Sequence, residues 1–257
     1  MSGQEIRPEL LPFVAPCRRI EVAAPLRWLR LGWRDIAAAP VQSLAFGAGI
    51  AVLSAVVSGI ALKFGTGWLL LVLLSGFVFV APVLAMGLYV ISAALERGTR
   101  PTLGGCLAAA RRDVGDALVY SLILMVICLV WVRAGSAVEI FFPEQAVPST
   151  LALATFLAIG SAVGSVFALV AFAASAFSLP MLVDRRSDAI TAVVTSVNAV
   201  LRNKRAMLVW VVLIVLSVAI GFATALVGLA VTMPLIGHAT WHAYRETVDA
   251  SSWPAKP

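Results

Sequence analysis

The chain has 257 residues, 61% hydrophobic and only 12% charged, with a formal net charge of +6. Soluble globular domains are about 45–50% apolar and roughly 25% charged, so a soluble domain is excluded. The basic residues sit between apolar runs, which makes a membrane surface, rather than nucleic acid, their expected partner.

Residues 1–24 are polar, proline-bearing and aperiodic, and read as a loose tail without the apolar core of a cleavable signal peptide. In the next stretch Leu26, Leu29, Trp33, Ile36 and Ala37 recur at helical spacing, with Arg27, Arg30 and Arg34 on the other side. This predicts an amphipathic surface helix, with Trp28 and Trp33 suited to the headgroup level and Pro40 as its stop. A first span is expected over 41–62. Its Gly47, Ala51, Ala55 and Gly59 form a small-residue stripe that allows close helix packing. After a tight turn at 63–67, a second span covers 68–94 with Pro82 inside it, where proline is tolerated as a kink. A second surface helix follows over 103–116, with Leu103, Cys106, Leu107, Ala110 and Val114 on one face and Arg111 and Arg112 near its end.

The third span is expected over 117–137. The substantial loop after it, 139–148, has no Lys or Arg. The fourth span, 151–183, carries the Gly160-xxx-Gly164 packing motif and Pro180. Arg185 and Arg186 exit from it. A third surface helix covers 188–202, with Ile190, Val193, Val194, Val197, Val200 and Leu201 on its apolar face and Arg202, Lys204 and Arg205 at its end. The apolar region 206–243 is too long for one crossing at 1.5 Å per residue. A break near Gly221-Phe222-Ala223 splits it into a fifth and a sixth span, the latter with Pro234. The tail 246–257 reads as loose.

Six spans place seventeen of the nineteen Lys and Arg residues on one side, leaving Lys63 and Arg133 on the other. The positive-inside rule makes the rich side cytoplasmic, with both termini there. Length favours six crossings over five. Each odd span follows a surface helix ending in a similar pair (Arg34-Asp35, Arg112-Asp113, Arg202-Asn203), and each even span holds a proline. A surface helix plus hairpin used three times is the suggested repeat.

Candidate chemistry is sparse. His238 and His242, the only histidines, lie four apart and share a helix face, a spacing open to a metal. Trp241, Tyr244 and Trp253 around them favour an interfacial belt instead. Met125 and Cys128 could suit Cu(I), but are ordinary core residues. Arg133 reads as an interface anchor. No acid lies in the middle of any span, as a coupled carrier would need. No phosphate-binding loop or dinucleotide fingerprint is present. No Ser-His-Asp set can be placed, because both histidines share one face and no acid is near them in sequence. The three cysteines, Cys17, Cys106 and Cys128, lack CxxC spacing, and no structural disulfide is expected. No enzyme activity and no cofactor are expected. The basic residues Arg27, Arg30, Arg34, Arg111, Arg112, Arg185, Arg186, Arg202, Lys204 and Arg205 ring the cytoplasmic face as candidate contacts for anionic lipid, each worth about 1 kcal/mol.

The run Arg19-Ile20, Pro25-Leu26-Arg27-Trp28-Leu29, Gly32-Trp33-Arg34-Asp35 and Pro40 joins with Ala81-Pro82-Val83-Leu84-Ala85-Met86-Gly87-Leu88-Tyr89 and Leu95-Glu96-Arg97-Gly98. Together they resemble a family of proteobacterial multi-pass inner-membrane proteins of unknown function, some labelled cytochrome c oxidase subunit I-like. The resemblance covers about residues 18–245. Two histidines are too few for the haems and copper of such a subunit. The expectation is therefore an all-α, six-span inner-membrane protein with three cytoplasmic amphipathic helices and one membrane domain over 25–245. Its expected role is a non-enzymatic accessory or scaffold that packs with lipid or other membrane subunits. A channel or transporter is one alternative. A metal-binding accessory or assembly factor of a respiratory oxidase is the other.

Overall fold

A computed structural model describes residues 12–64, 67–112, 114–140 and 150–256. Among these residues the chain forms ten helices. They are α1 (Ala24–Ala38), α2 (Pro40–Phe64), α3 (Gly67–Glu96), α4 (Leu103–Arg112), α5 (Val114–Ile140), α6 (Thr150–Ser175), α7 (Ser178–Asp184), α8 (Ala189–Arg202), α9 (Lys204–Ala223) and α10 (Leu229–Thr247). Residues 65–66 of the expected turn at 63–67, Asp113 and most of the 139–148 loop lie outside the described residues.

Among the described residues, five segments are long and apolar enough to cross a membrane: Pro40–Phe64, Val78–Glu96, Val114–Ala137, Thr150–Asp184 and Lys204–Ala223. The expected sixth, α10, does not qualify. Its C-terminal half carries His238, His242, Arg245 and Glu246, and it packs inside the protein with Ile236, Gly237, His238, Ala239, Thr240 and Trp241 all buried. Its polarity is matched by protein partners, which removes the need for an apolar surface. The break before it also sits later than expected. α9 runs through Ala223, and a turn with Ala225 and Leu226 at positive φ leads into α10.

The packed core lies at one end of the molecule. Trp28, Met86, Phe177, Met181, Trp210, Trp241, Tyr244 and Trp253 belong to a single buried cluster. Trp28 and Trp210 meet edge-to-face at 5.6 Å between ring centroids, a geometry worth about 0.5–1.5 kcal/mol beyond burial. The far ends of the spans are bare apolar surface: Val52, Leu62, Val126, Leu151, Leu216 and Val227 are all exposed. In water that surface would be a large liability; it suits lipid.

Both tails, expected to be loose, are packed where they are described. Cys17 bridges Val248, the Arg18 N–H donates to the Thr247 carbonyl at 2.8 Å, and the Asp249 N–H donates to Pro16 O at 2.8 Å. Ala15, Cys17, Val248, Ala250 and Trp253 are buried. The apolar residues of the tails are few, but they enter a core that other elements have already built. Residues 16–18 and 247–249 therefore lie side by side.

The three short helices α1, α4 and α8 bury only part of their expected apolar faces and leave several of the large residues exposed. α1 buries Trp28, Gly32 and Ile36, while Leu26 and Trp33 are 56% and 55% exposed. α4 buries Cys106 and Ala110 and exposes Leu103 and Leu107. α8 buries Ala192, Thr195, Ser196 and Ala199 and exposes Ile190 and Leu201. Small and hydroxyl residues turn inward because the neighbouring backbone approaches closely. A Cβ added at Gly32 would lie 2.8 Å from the Ala239 nitrogen. On α8, Thr195 Oγ1 accepts from the Ala15 N–H, and Ser196 Oγ accepts from the Phe177 N–H while donating to Ala173 O.

Candidate functional site

Two polar features lie back to back where α3 and α10 meet the basic end. The first is a buried network. Ser43 on α2, Ser92 on α3 and His238 on α10 are all buried, and Asp35 on α1 is 13% exposed at its side chain. His238 Nε2 is 2.9 Å from Ser43 Oγ, and its Nδ1 is 2.7 Å from Ser92 Oγ. Ser92 Oγ donates to Asp35 Oδ2 at 2.6 Å, and His242 Nε2 reaches the same oxygen at 2.9 Å. One proton assignment satisfies every group: Ser43 donates to Nε2, Nδ1–H donates to Ser92, and Ser92 and His242 donate to Asp35.

This corrects the expectation that no Ser-His-Asp set can be placed. The acid is distant in sequence and arrives on α1. The order is nevertheless unlike that of a hydrolase, in which histidine lies between serine and acid. Here Ser92 lies between His238 and Asp35, and the serines and His238 are sealed from solvent. The network ties four helices together. It also uses both ring nitrogens of His238 and Nε2 of His242, so the pair does not present a shared open position to a metal. Among the described residues no group of three or more His, Cys, Asp or Glu is arranged to hold one.

The second feature is a cavity of about 600 Å³ opening at the basic end. Ala93 and Trp241, the chain neighbours of Ser92 and His242, line it. The ends of the three proline-bearing segments converge there: Glu96 and Arg97 at the end of α3, Asp184 and Arg186 at the end of α7, and Trp241 and Arg245 on α10. α4 adds Arg112 and the C-terminal segment adds Lys256. Arg245 links two helices, with Nε 3.0 Å from Glu96 Oε1 and NH1 3.3 Å from Asp184 Oδ2. Glu96 also accepts from Trp241 Nε1 at 2.9 Å, and Asp184 from Tyr244 Oη at 2.8 Å and Arg185 Nε at 2.9 Å. The sequence gives Asp184 and Arg245 no expected role, and Glu96 enters only in the Leu95-Glu96-Arg97-Gly98 run of the resemblance. The only signal was an acid beside an arginine at each apolar exit.

The basic residues expected to meet lipid divide into groups. Arg185 is largely buried, held by Asp184 and by the Trp253 carbonyl at 3.0 Å, so it is a structural cation rather than a surface one. Arg27 pairs with Glu246, beside Trp28 Nε1, which donates to the same carboxylate at 2.8 Å. Arg30, Arg34, Arg111, Arg112, Arg186, Arg202, Lys204 and Arg205 are exposed. Of the packing residues, Gly47 is engaged: a Cβ there would meet the Ala230 carbonyl oxygen at 2.0 Å. Ala51 is half-buried, and Ala55 and Gly59 are exposed. Gly160 faces open space, and Gly164 has only Trp131 Nε1 near it, at 3.7 Å from an added Cβ. Burial pushes the Cys17 thiol up, which makes it a poor nucleophile.

Residues 69–184, somewhat less than half of the chain, match a family described as predicted integral membrane protein (DUF2189). No curated protein and no solved structure matches. The matched stretch runs through α3 to α7 and includes Glu96, Arg97, Arg112 and Asp184 of the cavity. With five apolar helices of membrane length, the chain is an integral membrane protein similar over that region to this family.

Proposed function

We propose that the protein is a non-enzymatic accessory or scaffold of the bacterial cytoplasmic membrane, packing with anionic lipid and with other membrane subunits. The observation that carries this reading is the outward placement of Leu26, Trp33, Leu103, Leu107, Ile190 and Leu201 on the three short helices, beside exposed arginines. Such faces suit the headgroup boundary, with apolar side chains reaching into lipid and cations in the phosphate layer. The basic end is then the cytoplasmic one. The pairing of residues 16–18 with 247–249 supports both termini on that side, with α10 as the returning segment. The exposed spans and the open Gly160-xxx-Gly164 face leave room for partner helices.

A transport pathway has less support. Two cavities among the spans, about 280 and 330 Å³, are lined almost wholly by apolar side chains. Native mass spectrometry after gentle detergent extraction tests the proposal. Retained anionic lipid or a membrane subunit is the expected result, and a bare monomer under all mild conditions would overturn it.

A further inference from the structure

We infer that the cavity at the convergence of α3, α7 and α10 is a binding site for a phosphate-bearing anion. The inference refines the lipid-associated reading above by naming one specific site. The argument is a charge count within the cavity wall. Both lining acids are already committed, Glu96 to Trp241 and Arg245, and Asp184 to Tyr244, Arg185 and Arg245. Three further lining cations, Arg97, Arg112 and Arg186, make no ion pair among the described residues. They come from three separate elements and surround a volume of about 600 Å³. Unpaired guanidinium groups gathered on a concave wall raise the local potential, and their planar forks suit phosphate oxygens. An arginine needed only to set topology would work equally well on a convex surface.

The three walls also continue into the membrane. Leu88 and Tyr89 on α3, Leu179 on α7 and Gly237 and Thr240 on α10 line the apolar cavity of about 330 Å³. Each lies within about one helical turn of a residue of the basic cavity on the same element. A polar site above an apolar one, on the same three helices, matches a phospholipid with its head in the first and a chain near the second. A soluble phosphorylated metabolite would use the same arginines without the apolar cavity.

The test uses the full chain in detergent micelles, titrated by native mass spectrometry with dihexanoyl phosphatidylglycerol, dihexanoyl phosphatidylcholine and inorganic phosphate. The cavity variant is Arg97→Gln, Arg112→Gln, Arg186→Gln. The control, Arg19→Gln, Lys63→Gln, Arg100→Gln, removes the same charge from exposed positions outside the cavity and outside the basic residues assigned to lipid. Phosphatidylglycerol is expected to bind saturably and above phosphatidylcholine, with affinity about tenfold or more weaker in the cavity variant and little changed in the control. The same tenfold loss seen with inorganic phosphate, without saturable lipid binding, assigns the site to a soluble phosphate. Equal weakening in both variants, or in neither, overturns the site. Lipid or subunits that co-purify equally with wild type and cavity variant would then still uphold the scaffold reading, so the two ideas fail separately.

Discussion

Asp35 and His242 meet across α1 and α10, with Oδ2 and Nε2 2.9 Å apart. The same oxygen takes the hydroxyl of Ser92 at 2.6 Å. Removing the carboxylate leaves donors from two other helices without an acceptor in a largely dry site. Asp35→Ala is expected to destabilise by roughly 2–4 kcal/mol. Asp35→Asn keeps an acceptor oxygen and should lose less. Thermal unfolding of both variants in detergent checks this, and an unchanged Tm for Asp35→Ala would show the network to be incidental.

Two glycines of one stripe should behave oppositely. Gly47→Ala drives a methyl into the Ala230 carbonyl and Pro234, while Gly59 has nothing within 4 Å. The first should cost about 2 kcal/mol or more through helix displacement, and the second should stay within about 0.5 kcal/mol or stabilise slightly. Comparing the Tm of each variant with wild type decides the point. Equal effects would mean that α2 does not pack on α10 through Gly47.

The C-terminal segment should behave as core. Trp253 is 3% exposed, and its carbonyl receives Arg185. Trp253→Ala is expected to cost about 3–5 kcal/mol, as for other buried aromatic truncations. In limited proteolysis the wild-type segment 248–256 should resist cleavage, and the variant should be clipped there. Rapid clipping of the wild type would contradict the packing.

Acid should loosen the cap of α8. Partial burial of Asp188 favours its protonated form, but the hydrogen bonds from Thr191 and the neighbouring backbone outweigh this and hold its carboxyl below the ordinary range. A group with a depressed folded-state pKa stabilises above its unfolded value and loses that contribution as pH falls through the folded one. Asp188→Ala should therefore cost about 1 kcal/mol at neutral pH. The gap from wild type should close below about pH 4. A gap that persists in acid would show that the cap does not depend on charge.

Much of the architecture was legible because membrane burial leaves a one-dimensional trace. Uncharged runs of span length, with arginines between them, marked most of the helices and the basic segments. The inward faces of the short helices were not legible in the same way. Hydrophobic periodicity singled out Leu26 and Trp33 on α1 and Ile190 and Leu201 on α8, which lie exposed. It gave no sign that Gly32, Ala192 and Ser196 make close contacts inside the protein, because small and hydroxyl residues carry no hydrophobic signal. The tails escaped notice because Ala15, Cys17, Val248 and Trp253 show no periodicity; their burial depends on a surface made by α8 and α10.

The sequence by itself determined that this chain lies in a membrane, roughly where most of its apolar helices run, and which connecting segments are basic. Those are properties of local composition, and each can be read within one stretch of chain. Only the tertiary structure decided that Asp35 meets His242, that Glu96 and Asp184 share Arg245, and that Arg97, Arg112 and Arg186 are left facing one cavity. Those groups lie tens to hundreds of residues apart, so their chemistry comes from how α1, α3, α4, α7 and α10 pack together.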